Sequence, residues 1–547
     1  MMFSKSSPQF LFTATLGRLN PGFRKSIAIP AVVLLLGLLL PPVYLFYRSL
    51  SGDVDLLLLL SRKSLWDSLL NTVILMITVS VSCVLISVPC AWITTRSGVK
   101  QRGLWSVAFA LPLVIPTYVG GFIVVVLLGP RGMLQQALDW CCGVERLPAI
   151  YGLWGATFTL SIFSYPYVYL SIRSGFLKLD NSLVEVAESL GLSKSAVFFR
   201  VILRQLIPSI LAGVLLVSLY VLSDFGAVSL LKYKTFSWSI FIQYGTALDR
   251  SVAAVYSSLL VICAISLTIG ETWLQSKGRF GAVSGVPMRL RSGISNRFRS
   301  VWVTLFGSFV FFVTVGAPVG LLVYWVIRGS VRGEILTIPW IKIWNSLYVS
   351  VLGAVFVTVC SIPLVYFSYR YKGLLSKFIT LIVPIGFALP GISVALALVF
   401  FSAQLPRWIY QTVPVMIFAY FILFISPAFG IVQNGMRLIN PSVEEASLSL
   451  GKSHFVTFIK ITLPLMMPSL TSAAAMVFLL IMKELPATLI LAPLNFSNLA
   501  TSTWSYAIEA FFAKSALEAL LLVGLAAIPL SYLMYKGFAT GDLDNHV

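Results

Sequence analysis

The stretch 182–208, SLVEVAESLGLSKSAVFFRVILRQLIP, occurs a second time as 442–468, SVEEASLSLGKSHFVTFIKITLPLMMP. Residues of the two copies correspond at a constant offset of 260, which pairs Gly191 with Gly451. Each copy is charged and amphipathic and lies between long apolar runs. A duplicated polar segment in these surroundings predicts two equivalent loops in an internally repeated membrane protein.

Each copy predicts a short helix–turn–helix. Ser-x-x-Glu at its start is the pattern of a capping box, in which hydroxyl and carboxylate bind the free N–H groups of the first helical turn. Glycine is expected to end the first helix in the left-handed conformation, and a serine two residues later is expected to cap the second helix. These positions are Ser182, Glu185, Gly191 and Ser193 in the first copy and Ser442, Glu445, Gly451 and Ser453 in the second.

Composition places the chain among polytopic membrane proteins. Of its 547 residues, 58% are hydrophobic and 11% are charged, and the mean hydropathy is +0.93. A hydrocarbon core of about 30 Å takes roughly 20 helical residues to cross. The predicted fold is therefore an all-α polytopic membrane protein with about twelve transmembrane helices. They are expected near 27–48, 68–95, 104–128, 150–173, 206–231, 253–274, 300–327, 346–369, 377–401, 409–434, 467–493 and 515–535.

The repeat extends upstream of the two loops at an offset of 274, which pairs Asn71 with Asn345, Arg96 with Arg370 and Pro116 with Pro390. The offset then falls to 260, so the first half carries 14 additional residues, which we place in the outer loop near 128–152. Two homologous halves of six helices follow, in parallel orientation. The predicted boundaries are 1–275 for the first half, 276–299 for a cytoplasmic linker and 300–547 for the second half.

The formal net charge of +20 does not indicate nucleic-acid binding, because the charges follow the membrane topology. With both termini placed in the cytoplasm, about two thirds of the 39 Lys and Arg residues fall in cytoplasmic segments, which is the positive-inside bias of membrane proteins. The expected partners therefore include membrane lipid and exclude nucleic acid.

The two loops resemble the EAA loop of binding-protein-dependent ABC transporter permeases of the fused, two-half type. The resemblance implies a type I importer-like fold in a bacterial inner membrane, two copies of a cytoplasmic ABC ATPase, and a periplasmic or lipid-anchored solute-binding protein. It also implies that the loops dock into a groove of each ATPase as coupling helices. The residues that match are Glu185, Ala187, Gly191, Glu445, Ala446 and Gly451, while Val186 and Ser447 depart from the two alanines of the motif.

A finer resemblance is to permeases of ferric-iron uptake, and it rests on SDFGAV at 223–228 and KELPATL at 483–489. Import of ferric iron by alternating access is the function that it implies. Permeases for thiosulfate or sulfate, polyamines and phosphonates are similar here and stay open as alternatives. A secondary transporter driven by an ion gradient is the rival class, although such proteins usually place several charges at mid-membrane, and here they are sparse.

Asp224 and Glu484 are the candidate residues of the translocation path. They are equivalent in the repeat and lie late in apolar runs, where a carboxylate is costly unless it meets water or a partner. Lining a cation path, pairing with Lys483, and fixing a break in a helix are the three roles that the sequence allows.

The chain is not predicted to be an enzyme. Gly451-Lys452-Ser453 has the ending of a phosphate-binding P-loop, but the position that should hold its first glycine is Ala446. We therefore expect ATP hydrolysis, with its Mg²⁺, on a separate subunit. The six cysteines and two histidines have no metal-ligand spacing, so no cofactor or metal site is predicted in this chain.

Overall fold

The computed structural model describes residues 21–51, 59–97, 102–179, 181–246, 251–277, 297–406 and 408–543. Most of these residues are helical, and the described part of the chain contains no β-strand. The all-α prediction is therefore confirmed. Of the predicted linker 276–299, residues 278–296 lie outside the described residues.

We name the two copies of the duplicated stretch after their predicted role, so that 182–208 is the first coupling loop and 442–468 the second. The helices of the first half follow in chain order. They are α1 Pro21–Ser51, α2 Lys63–Arg96, α3 Arg102–Ala110, α4 Thr117–Leu128, α5 Met133–Cys142, α6 Leu153–Leu177, α7 Asn181–Ser189, α8 Lys194–Val197, α9 Leu203–Ser223, α10 Gly226–Leu230, α11 Phe236–Thr246 and α12 Ser251–Lys277.

The second half repeats this order. Its helices are α13 Arg297–Phe311, α14 Ala317–Val331, α15 Trp340–Arg370, α16 Leu374–Ala388, α17 Gly391–Ser402, α18 Val413–Leu438, α19 Pro441–Ser449, α20 His454–Thr457, α21 Leu463–Met482, α22 Pro486–Leu491, α23 Leu499–Ile508 and α24 Phe512–Leu543. A π-helical turn follows the second coupling helix of each half, at Phe198–Ile202 and Phe458–Thr462.

By length and composition, ten helices of the described chain are able to cross a membrane, or eleven if α16 and α17, which meet at a bend of 102°, form one broken span. The prediction was about twelve. The remaining predicted span, 150–173, forms the continuous helix α6, whose Ser, Thr and Tyr residues make it less apolar than the others. Its counterpart in the repeat is α18.

The two halves pack in the same way internally and exchange their first helices. In the first half α2 packs on α6 and α9, and in the second half α15 packs on α18 and α21. Helix α1 also packs on α15, α16 and α17 of the second half, while α13 contacts α2 and α3 of the first half. The first helix of each half thus packs against helices of the other half, and these contacts join the two halves.

Prolines break two of the predicted spans. Pro116 directly precedes α4 and Pro390 directly precedes α17, each with an extended backbone. The backbone N–H of the residue before a helix makes no intrahelical hydrogen bond. Proline has no N–H group and is therefore tolerated at this position. The two prolines therefore start new helices at the centre of the molecule instead of kinking continuous ones.

The predicted capping box is wrong in the second coupling loop. Asn440 is the N-cap of α19, and its Oδ1 accepts the N–H of Ser442 at 3.1 Å, with Pro441 at the first helical position. In the first loop, α7 begins at Asn181, so that Ser182 lies inside the first turn. The sequence rule missed that an Asn two residues upstream competes for the cap.

The other local predictions are confirmed. Gly191 and Gly451 end their helices with φ of +80° and +76°. Ser193 and Ser453 cap the following helices by accepting backbone N–H groups three residues later, both at 3.3 Å. The two loops are therefore the same helix–turn–helix.

Alanine at Gly191 and Gly451 should loosen both turns, because a left-handed conformation costs a residue with a Cβ about 1 to 2 kcal/mol. We expect amide hydrogen exchange across the two loops to become about tenfold faster in the double variant. Gly430→Ala is the matched control, since a Cβ there meets no atom within 4 Å and the residue lies inside a helix. Unchanged exchange in the double variant would contradict the assigned turn conformation.

Candidate functional site

Both coupling loops present an exposed apolar surface, and it includes three pairs of corresponding positions. Leu190 and Leu450, which correspond in the repeat, are 77% and 81% exposed. Side chains on either side of each leucine are also exposed, and they are Leu183, Val186 and Phe199 in the first loop and Val443, Phe455 and Ile459 in the second. Two equivalent apolar patches on polar loops are typical of sites that contact another protein.

The predicted coupling residues are divided between this surface and the loop interior. Glu185 and Ala446 are exposed, Glu445 is half-buried, and Ala187 is buried. The glycines set the turn between the two helices of each loop. Their contact with an ATPase stays a prediction.

The interior of the first coupling loop is apolar. Val184 and Ala187 of α7 are buried, and so are Val197 and Ile202 in the segment that α7 packs against. No polar side chain is needed to hold these two helices together, since burial of apolar surface is sufficient.

The corresponding four positions of the second loop are polar. Ser447 and Thr457 share a hydrogen bond of 2.9 Å between their hydroxyls. Thr462 donates its hydroxyl to Glu444 Oε1 at 2.7 Å, and Arg370 Nη2 lies 2.9 Å from the same oxygen. The departure of Ser447 from the motif thus has a structural reason, because it is one half of a hydrogen-bonded pair.

Arg96 and Arg370 occupy equivalent positions at the ends of α2 and α15 but meet different acidic residues. Arg370 forms a buried ion pair with Glu444, whose side chain is 6% exposed. Arg96 interacts electrostatically with Glu188, which is exposed, and the first-loop residue at the position of Glu444 is Val184. The second loop is therefore fastened to its membrane helix by a buried charge pair, and the apolar Val184 does not allow the same pair in the first loop.

Glu444 was missed by the sequence analysis, which singled out its neighbour Glu445. The available signal was the position of Glu444 on the helix. It precedes the buried Ser447 by three residues and so lies on the same face, turned towards the protein. Only the fold shows that Arg370 is close enough to pair with it.

Glu444→Ala should lower the free energy of unfolding by about 3 kcal/mol or more, because it leaves the Arg370 guanidinium buried without its partner. Glu445→Ala is the control; this side chain is half-buried, has no ion pair among the described residues and should change stability by less than about 1 kcal/mol. Thermal unfolding of the purified protein in detergent measures both. Equal stability of the two variants would contradict a stabilising role for the pair.

The second functional region is a cavity at the centre of the molecule, where the two halves meet. It lies at the breaks between α9 and α10 and between α21 and α22, and it is lined by Asp224, Lys483 and Glu484. The two candidate carboxylates, which are far apart in sequence, are therefore brought to one place by the repeat. The two carboxylates also interact electrostatically with each other.

Asp224 holds its helix break in place. Its Oδ1 accepts the N–H groups of Ala227 and Val228 at 3.1 and 3.4 Å, and its Oδ2 accepts the hydroxyl of Thr117 at 2.5 Å. These bonds satisfy the first N–H groups of α10, which have no intrahelical partner. Both carboxylate oxygens are thus engaged, and fixing the helix break is the main role of Asp224.

Glu484 caps α22 in the same way but keeps one oxygen free. Its Oε1 accepts the N–H of Ala487 at 3.2 Å, while Oε2 has no hydrogen-bond partner among the described residues. A Cβ at Gly391, the residue equivalent to Thr117, would lie 2.7 Å from Oε1. The first half therefore combines the shorter Asp224 with Thr117. The second half combines the longer Glu484 with Gly391, whose missing side chain leaves room for the glutamate.

Lys483 joins the two halves across the cavity. Its Nζ donates to the backbone oxygen of Leu113 and to the Tyr167 hydroxyl, both at 3.1 Å, and both partners belong to the first half. The ammonium also lies over the rings of Tyr167 and Tyr220 at 5.6 and 5.9 Å. No ion pair joins Lys483 to either carboxylate in the described structure.

Tyrosines complete the oxygen-rich wall, and the sequence analysis did not select them. Tyr167, Tyr220 and Tyr118 line the cavity, and the Tyr118 hydroxyl is buried with no hydrogen-bond partner in the described structure. Tyr118 also interacts electrostatically with Glu484. The Tyr118 hydroxyl and the second Glu484 oxygen are thus two polar atoms of this region without a hydrogen-bond partner among the described residues.

Residues 84–279 and 362–536 match the sequence profile of a family described as "Binding-protein-dependent transport system inner membrane component". One match covers each copy of the repeat, and each match includes one of the two coupling loops. The chain belongs to this family. It is accordingly a multi-pass inner-membrane permease subunit of an ABC importer, and its function is transport.

Relatives in the family differ in length and in the solute that their names give. The Fe(3+)-transport system permease protein FbpB 2 of Haemophilus influenzae is 31% identical over 520 residues, which cover 93% of this chain and 98% of the relative. The molybdenum permease ModB of the same species is 29% identical over 222 residues, 38% of this chain and 94% of the relative. The sulfate permease CysT of Escherichia coli is 26% identical over 286 residues, 50% of this chain and 98% of the relative.

Proposed function

We propose that this permease carries ferric iron into the cytoplasm. Two observations support the proposal. The ferric-transport relative matches this chain over nearly the full length of both proteins, whereas the molybdenum and sulfate relatives match half of the chain or less. The cavity between the halves also offers carboxylate and phenol oxygens, and hard cations prefer oxygen ligands.

The charge of the cavity favours a cation over an oxyanion. Two carboxylates and one ammonium line it, and the ammonium is already bonded to the first half. Sulfate or molybdate would meet the free oxygen of Glu484 as a like charge, and such a contact is unfavourable where water is scarce. Transport of an oxyanion is the second candidate, and it is favoured only by the shorter relatives.

The coupling loops are the proposed contacts with two copies of a cytoplasmic ATPase, which binds ATP and Mg²⁺ in place of this chain. This assignment puts the loops and both termini in the cytoplasm and the opposite end towards a solute-binding protein. Closure of the ATPases moves the two loops and turns the cavity between the halves from inward-facing to outward-facing. Nucleotide and solute make different contacts in the two states and so shift the equilibrium between them, while ATP hydrolysis on the partner supplies the energy.

Glu484→Gln should reduce binding-protein-dependent iron uptake in proteoliposomes by at least tenfold, because it removes the charge of the free oxygen at the cavity and keeps the size of the side chain. Glu509→Gln is the control, since Glu509 is an exposed acid outside the cavity. Full iron uptake by the Glu484 variant would exclude the cavity acid from the path. A gain in molybdate or sulfate uptake on charge removal would favour the oxyanion alternative.

Leu190→Glu combined with Leu450→Glu should abolish co-purification of the ATPase, because two charges then face its apolar groove. The double variant should still insert and unfold like the parent, since both side chains are exposed. Leu494→Glu is the control; this leucine is 85% exposed and belongs to the loop between α22 and α23. Undiminished ATPase retention by the double variant would refute docking through the two leucines.

A further inference from the structure

A cleft far from the coupling loops is lined by three arginines that come from both halves. It lies beside the start of α6, and α6 ends just before the first coupling loop, so the cleft belongs to the opposite end of the molecule. Arg131 and Arg146 come from the first half and Arg328 from the second. The cavity volume of about 590 Å³ is within the range of sites for small organic ligands.

The additional residues of the first half build this cleft. The N–H of Leu147 donates to the backbone oxygen of Pro130 at 3.1 Å, which folds the segment after α5 back onto the turn before it. The buried Gln135 fixes the fold by donating to the backbone oxygens of Val144 and Glu145 at 2.8 and 3.0 Å. These hydrogen bonds bring the segment that contains Arg146 close to the segment that contains Arg131.

The three guanidinium groups have no carboxylate partner among the described residues. Arg328 lies over the Trp325 ring at 4.8 Å, a contact that leaves its charge uncompensated. Glu145, the neighbour of Arg146, forms no ion pair within the part of the chain that the structure describes. Three cations that line one cleft without a counterion favour the binding of an anion, which is able to form charge-assisted hydrogen bonds with them.

A helix terminus adds to the positive potential. Helix α5 has ten residues, its N-cap Gly132 offers no side chain to its first N–H groups, and Gly132 and Met133 line the cleft. The free N–H groups of a helix start favour anions, and phosphate above all. Arginine is the side chain best suited to hold phosphate oxygens, because its planar donors bind two of them at once.

We propose that this cleft binds a phosphate-type oxyanion, presented by an anionic phospholipid headgroup or by soluble phosphate. The anion would be held by arginines of both halves and would therefore stabilise the arrangement of the halves seen here. The aromatic rings of Trp325 and Phe512 lie in the same cleft and offer apolar surface to the part of a lipid next to its headgroup. The inference does not depend on the identity of the transported solute.

The test uses the purified full-length chain and two probes. The first is inorganic phosphate against chloride at equal ionic strength, with the midpoint of thermal unfolding as the readout. The second is nanodiscs of phosphatidylglycerol against phosphatidylcholine, with lipid retention measured by native mass spectrometry. The variants are Arg131→Gln, Arg146→Gln and Arg328→Gln, singly and combined. Arg332→Gln is the control, since this exposed arginine lies four residues after Arg328 and does not line the cleft.

We expect the parent and the Arg332 variant to be stabilised by phosphate, by the anionic lipid or by both, and the triple variant to bind at least tenfold more weakly. A response to lipid alone identifies a headgroup site, and a response to phosphate alone identifies a soluble ligand. If the triple variant fails to fold, the single Arg→Gln variants and Arg328→Lys replace it. The proposal then predicts weaker binding by each Gln variant and a smaller loss for Arg328→Lys, which keeps the charge. Equal behaviour of parent and variants towards both probes overturns the proposal.

Discussion

A break in a membrane helix leaves backbone N–H groups that no water satisfies, and the centre of this protein depends on how they are bonded. Asp224 and Glu484 accept the first N–H groups of α10 and α22, so the two spans stop and restart at equivalent positions of the repeat. Because the bilayer tolerates irregular backbone only where it is buried in protein or lines a cavity, the breaks and the cavity occur together. Asp224 and Glu484 therefore both cap the helices at the breaks and line the cavity between the halves.

The repeat is symmetric in its backbone and asymmetric in its chemistry. Thr117 with Asp224 in one half and Gly391 with Glu484 in the other fill equivalent space, but only Glu484 keeps an oxygen free. A similar difference separates the coupling loops, because the second loop replaces apolar packing by the pair of Arg370 and Glu444. Two joined halves are free to diverge in this way, since each position needs to serve only one side of the molecule.

Much of this architecture was predictable from local rules. Apolar length gave the spans, and the duplicated loop gave two equivalent halves with their glycine turns and serine caps. The caps at Ser182 and Ser442 failed, because Asn440 competes successfully in the second loop and α7 starts one residue before Ser182. Lys483 bonding to Leu113, 370 residues away, and the pairing of Arg370 with Glu444 are tertiary contacts. No periodicity or motif carries information on contacts of that kind.

We propose that this chain couples ATP hydrolysis on a partner to the passage of a cation through the cavity between its halves. The most direct measurement is ATP hydrolysis by the reconstituted complex in liposomes, with solute-binding proteins loaded with ferric iron, sulfate or molybdate added separately. The account predicts stimulation by the iron-loaded protein alone. Stimulation by a sulfate- or molybdate-loaded protein would contradict the cation assignment. Solute uptake that follows an imposed ion gradient without any ATPase would contradict the coupling itself.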